Sequence, residues 1–145
     1  MNKENNPDFK IILEYIKDLS IETPSATALL YVRENVGNYN LDIDISSVVL
    51  KNQSLEITTK LILQDKNKSN KYKSFFEIKY ATVIKIDSSI TDKSVISKIV
   101  LCDLQKLVYP KIQTIFLNII KEAGYPEIRF EKKVDFDKMY SEKFN

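Results

Sequence analysis

Residues Leu55-Glu56-Ile57-Thr58-Thr59-Lys60-Leu61-Ile62-Leu63-Gln64, a polar link from Asp65 to Lys71, and Tyr72-Lys73-Ser74-Phe75-Phe76-Glu77-Ile78-Lys79-Tyr80-Ala81-Thr82-Val83 set the architecture of this chain. In each flank one parity is apolar: Leu55, Ile57, Leu61 and Leu63, then Tyr72, Phe76, Ile78 and Tyr80. A two-residue period is the mark of a half-buried strand. A link this short brings the two strands back antiparallel, because parallel neighbours need a long crossover. Working outward, Tyr39, Leu41, Ile43 and Ile45 alternate with Asn40, Asp42, Asp44 and Ser46, and Lys51-Asn52-Gln53 turns that strand onto the next. Phe9, Ile11, Leu13 and Tyr15 alternate with Lys10, Ile12, Glu14 and Ile16 as a first strand. The stretch from Glu22 to Asn38 reads as a loop of unusual length, and such loops are often functional.

Past Asp87 the period changes. Thr91 or Asp92 is placed to cap a helix running to about Gln105. Pro110 suits the first position of the next helix, whose stripe is Tyr109, Ile112, Phe116, Ile119, Ile120 and Ala123, with Gly124 as its stop. Glu127 to Glu131 reads as extended, and Asp135 to Lys143 as a last short helix with Phe136, Met139 and Tyr140 on one side. Strands first and helices second predict an α+β fold, a four-stranded antiparallel sheet with helices packed on one face. At 145 residues this is one domain, with residues 1–8 as a disordered N-terminal tail.

Composition narrows the function. Histidine is absent, which removes the commonest general base and metal ligand. Cys102 is the single cysteine, so intramolecular disulfides and thiolate zinc cages are excluded, and no catalytic residue, metal site or cofactor is assigned. Two glycines, Gly37 and Gly124, cannot build a Gly-rich phosphate loop. Twenty-two basic against twenty acidic residues are too balanced for a dedicated nucleic-acid binder. Lys66 to Lys73, without arginine and with Tyr72 as its one aromatic, reads as a solvated hairpin tip before a phosphate patch. The longest apolar run, residues 28–32, is far short of the ~20 needed to span a bilayer. With no secretory signal at the start, the chain is read as cytoplasmic, without stable membrane insertion. Apolar residues on both faces (Ile12, Ile16, Phe75 and Val83 on strands, Ile115 and Leu117 on the long helix) call for a partner subunit.

Several blocks carry a family likeness. Tyr15-Ile16-Lys17-Asp18-Leu19-Ser20-Ile21-Glu22-Thr23-Pro24-Ser25-Ala26 resembles the N-terminal signature of the SecB protein-export chaperones. The resemblance continues in Leu41-Asp42-Ile43-Asp44, Phe76-Glu77-Ile78-Lys79-Tyr80-Ala81, Leu107-Val108-Tyr109-Pro110, Ala123-Gly124-Tyr125-Pro126 and Val134-Asp135-Phe136, in the family's order. It implies a homotetramer, a dimer of dimers, that holds unfolded preproteins without ATP and delivers them to the SecA motor. It implies client grooves lined by Leu29, Leu30, Tyr31 and Val36, by Leu104 and Val108, and by Phe136 and Tyr140. It also implies a SecA-docking face carrying Asp18, Glu22 and Glu77. The chain departs from the family in its slightly basic charge, in Leu104 and Gln105 where cysteine and proline are common, and in Thr82 replacing a strand glycine. Three other readings stay open: a SecB-like chaperone dedicated to one client such as an antitoxin, a hot-dog-type small enzyme or ligand-binding domain, and a structural adaptor.

Overall fold

The computed structural model describes residues 6–130 and 133–144, with side chains described to Glu142. Four strands, β1 (Phe9–Glu22), β2 (Tyr39–Val49), β3 (Ser54–Asp65) and β4 (Phe75–Ile86), form one antiparallel sheet in the order β1-β4-β3-β2. The β2–β3–β4 meander keeps the alternation intact. Leu61 pairs with Ile43 on one side and Ile78 on the other, Thr59 with Ile45 and Tyr80, so one face collects the apolar parity of three strands. The tight β2–β3 turn, Lys51-Asn52-Gln53 between the paired Leu50 and Ser54, places Asn52 and Gln53 at positive φ.

β1 corrects the simple alternation expected for it. Its register slips between Ile11 and Leu13 and again between Ile16 and Asp18. Each bulge inserts one residue and exchanges the two faces of the strand beyond it. Leu13 and Tyr15 thereby pass to the open face, opposite Val83 and Ala81, while Glu14 and Ile16 turn to the helix face, opposite Thr82 and Tyr80. Glu14 there accepts from the Lys111 ammonium through both carboxylate oxygens at 3.1 Å and from the Tyr80 hydroxyl at 3.4 Å. On the other face the Tyr15 hydroxyl donates to Glu56.

The long loop expected after Glu22 contains a helix, α1 (Ala26–Glu34), capped by Ser25 Oγ accepting from the Ala28 amide at 3.1 Å. The sheet order demands it. The chain leaves one edge strand and re-enters at the other, three strand spacings or about 14 Å away, and nine helical residues span about that distance.

The second half also departs from expectation. Asp92 caps α2 (Lys93–Lys98), its carboxylate accepting from the Ser94 amide at 2.8 Å. A π-helical turn, Ile99–Asp103, then leads without a break into α3 (Leu104–Glu122). Pro110 lies inside α3 rather than at its start. It forfeits one backbone bond, which the packing around it offsets. Leu104, Val108, Ile112, Phe116 and Ile120 recur every four residues and are all buried against the sheet. The Schellman pair, Tyr125 N–H to Ile120 O and Gly124 N–H to Lys121 O, closes α3 with Gly124 at φ 112°. α4 (Phe136–Phe144) comes after an irregular link; the expected extended segment 127–131 is irregular through 130, and its last residue lies outside the described residues. Of the expected N-terminal tail, 1–5 lie outside the described residues, and the Asp8 carbonyl accepts from the Asp87 amide at 2.9 Å.

Candidate functional site

β2 is an edge strand. Among the described residues its inner side pairs with β3, and no strand pairs with its outer side. Such an edge offers a row of backbone donors and acceptors to another extended chain. Alongside it runs a groove of about 890 Å³, lined on the sheet side by Val36, Tyr39 and Leu41 and on the other by Tyr109, Ile128, Phe130, Val134 and Met139. Two smaller hollows share its walls. One of about 400 Å³ reaches past Phe130 and Val134 to Pro110 and Phe136. One of about 110 Å³ continues past Met139 to Ile43, Ile45, Leu101 and Tyr140. From Tyr39 to Ile45 the apolar floor is roughly 20 Å long at the strand's rise per residue, room for six or seven extended residues.

The outer wall is α4, held to the helix beneath by a few side chains. Phe136 is buried and meets Tyr109 edge-on, ring centroids 5.3 Å apart. The Asp137 carboxylate accepts from the Lys106 ammonium at 2.8 Å and from the Cys102 thiol at 3.0 Å. These two donors hold the Asp137 carboxyl below its ordinary value, the thiol contributing most. Burial, reinforced by Asp137, pushes the Cys102 thiol up to about 11. The Tyr140 hydroxyl donates to the Ser94 carbonyl at 3.1 Å. Under the floor, Gln105 accepts from Thr59 at 3.0 Å and donates to the Val100 carbonyl at 3.2 Å, tying the π-turn to the sheet. Tyr39 is raised far above the ordinary phenol range, chiefly by burial.

The sequence-selected residues divide. Val36 lines the groove, Tyr140 lines the small hollow beyond Met139, and Phe136 lines the hollow past Phe130. Leu104 and Val108 do not line it: both face the sheet and are fully buried, so a client meets them only if the core opens. Leu29, Leu30 and Tyr31 stand on α1, outside these cavities. Leu29 packs towards Gly124, the Tyr31 hydroxyl donates to Asp65 at 2.8 Å, and Leu30 is exposed. Sequence reasoning missed Tyr39, Leu41, Ile43, Phe130 and Met139. For Tyr39, Leu41 and Ile43 the signal was the apolar parity of β2, which read as core because edge position is not written in a strand's own residues; for Met139 it was the apolar side of the last helix, and Phe130 carried none.

Asp18, Glu22 and Glu77 come together on the open face of the sheet. Asp18 pairs with Lys79, Ser20 with Glu77 and Glu22 with Phe75, so the three carboxylates occupy successive rungs. Glu77 is 3.8 Å from the Lys79 ammonium. The same face and edge leave Ile12, Leu13, Tyr15, Ile16 and Leu19 of β1 exposed, Leu13 by 48%.

The four-stranded antiparallel sheet with helices on one face is the fold of a SecB-like chaperone, as comparison with a solved structure shows. It superimposes with a TM-score of 0.64 and 10% identity, over 88% of each chain, on a Mycobacterium tuberculosis SecB-like chaperone solved with a ChAD peptide from the HigA1 antitoxin. The family model described as preprotein translocase subunit SecB matches residues 2–145, and the chain belongs to the SecB family. It is 41% identical over 138 residues (95% of this chain, 98% of the other) to a putative protein-export protein SecB of Pelagibacter ubique. It is 27% identical over 143 residues (98% and 91%) to the protein-export protein SecB of Rickettsia felis. With the Bradyrhizobium sp. protein of that name it shares 27% over 135 residues (92% and 80%).

Proposed function

We propose that this protein is an ATP-independent holdase that binds unfolded preproteins in the groove along β2 and hands them to SecA in the cytoplasm. The groove beside an unpaired strand edge carries the reading: β2 can bond a client's backbone while Leu41, Phe130 and Met139 accept its apolar side chains. Each such side chain contributes on the order of 1.5–3 kcal/mol before ordering costs. Binding through backbone and generic apolar contact asks for no particular client sequence. Assembly as a homotetramer, a dimer of dimers, multiplies the grooves and raises avidity; the exposed apolar residues of β1, an edge strand, support such association. Asp18, Glu22 and Glu77 form the SecA-docking face, where carboxylates steer a basic partner.

The test is suppression of aggregation of an unfolded substrate at stoichiometric ratio without nucleotide, together with native mass by sedimentation. Protection by a tetramer agrees with the reading, and absence of protection overturns it. Reversal of Asp18 and Glu22 to Lys should weaken SecA binding most at low salt. A chaperone dedicated to one client, such as an antitoxin, is the second reading, favoured by the peptide seated on the Mycobacterium protein. A pull-down yielding one client rather than many preproteins selects it.

A further inference from the structure

The turn between β3 and β4 carries Lys66, Lys68, Lys71 and Lys73 within eight residues, and all four are exposed. The loop is built, not slack. Asn67 Oδ1 accepts from the Ser69 amide at 3.2 Å, and Asn70 Oδ1 from the Tyr72 amide at 2.7 Å. The Asn70 amide donates back to the Tyr72 carbonyl at 2.9 Å. Asp65, the acidic residue at its base, is turned inward under three donors: Tyr31 Oη at 2.8 Å, the Asn67 amide at 2.9 Å and Asn70 Nδ2 at 3.0 Å. Among the described residues none of the four lysines makes an ion pair; Lys68 reaches only Gln64 Oε1, at 3.1 Å. The carboxylate is engaged by these three donors, while the four ammonium groups are exposed.

Apolar groups flank this charge. Tyr72, 44% exposed, packs on Tyr31 with ring centroids 5.9 Å apart, and the preceding residue of α1, Leu30, is exposed. On the open face the crook of the loop forms a cavity of about 320 Å³ with Lys68, Lys73, Asn67 and Phe75 in its wall, and with Asp65, held by its three donors, at its base. We propose that this tip is a peripheral docking surface for an anionic lipid bilayer. Clustered lysines give diffuse attraction to a charged plane, where phosphate recognition in nucleic acid favours arginine forks, and the loop has none. The exposed Tyr72 among the lysines matches the headgroup level, where amphipathic rings settle.

The experiment is flotation of the full chain with phosphatidylcholine vesicles, with and without phosphatidylglycerol. The intact protein should float with the anionic vesicles only, and less as salt rises. At about fivefold per lysine, Lys71→Gln with Lys73→Gln should weaken binding roughly 25-fold. Arginine at the same two positions should retain it, which separates charge from any disturbance of the loop. No binding of the intact protein to anionic vesicles at low salt overturns the proposal. So does equal binding by the glutamine variant, or binding to single-stranded RNA in place of vesicles that the same variant abolishes. Client holding is read in parallel and is independent of this surface, since none of the four lysines except Lys66 borders the β2 groove.

Discussion

Replacing Met139 by Ser tests whether the groove, rather than exposed apolar surface in general, grips a client. Met139 is 41% exposed and borders two of the connected hollows. The exposed part is on the order of 80 Å², which at about 25 cal/mol/Å² is roughly 2 kcal/mol once a client covers it. A methionine loses roughly 1.5–2 kcal/mol of rotamer freedom on full burial. About half of that remains to a side chain already more than half covered, so up to about 1 kcal/mol is returned. The net of about 1–2 kcal/mol corresponds to a Kd weakened about 5- to 30-fold. Leu30→Ser is the matched control: Leu30 is more exposed, at 52%, yet stands on α1 outside the groove. If apolar exposure alone did the work, Leu30→Ser would cost at least as much. Fluorescence anisotropy of a labelled unfolded peptide measures both. A Met139→Ser value within twofold of the parent, or a larger loss at Leu30, refutes the groove assignment.

Gly124→Ala forces an L side chain to φ 112° and brings its Cβ to 3.3 Å from Leu29 Cδ1. The expected loss of about 1–2 kcal/mol lowers Tm by roughly 3–8 °C, and thermal denaturation checks it. Thr59→Val removes the donor to Gln105 Oε1 in a buried site, and should cost about 1–3 kcal/mol by denaturant titration. The Asp137 bonds to Cys102 and Lys106 need the carboxylate, whose pKa is lowered in the fold. Their contribution to α4 docking is therefore complete above the ordinary carboxylate range and is lost as pH falls through the lowered value. Amide exchange in α4 should track that course, and Asp137→Asn should abolish the dependence.

Periodicity made part of the fold legible. β2, β3 and β4 keep strict alternation, and their faces can be read from Leu41, Leu61 and Ile78 outward. Those of β1 cannot, because its bulges at Ile12 and Lys17 carry no glycine or proline to flag them, and two unmarked insertions undo a period of two. α1 escapes because it buries only Ala28 and Val32, too little for a stripe. The start of α3 is placed too late because Pro110 outweighs Leu104 and Val108, the very residues whose burial lets the helix run through it.

The irregularities bear on function as well as fold. The bulges of β1 leave apolar Leu13 and Tyr15 beside Asp18 and Glu22 on the open face, so one edge strand combines grease and charge. The opposite edge, β2, keeps its alternation, with Leu41, Ile43 and Ile45 towards the helix side and Asp42 and Asp44 on the open face. An irregular strand is a poor template for an arbitrary incoming chain, since each bulge interrupts the ladder it would join. A regular strand presents an even row of donors and acceptors to any extended backbone. Under the proposed function the two edges divide the work, β1 in a fixed contact between copies and β2 with clients of many sequences. Inserting a residue after Ile43, which breaks the regularity of β2, should impair client binding while leaving native mass unchanged. An altered mass with client binding intact would mean that the roles of the two edges are reversed.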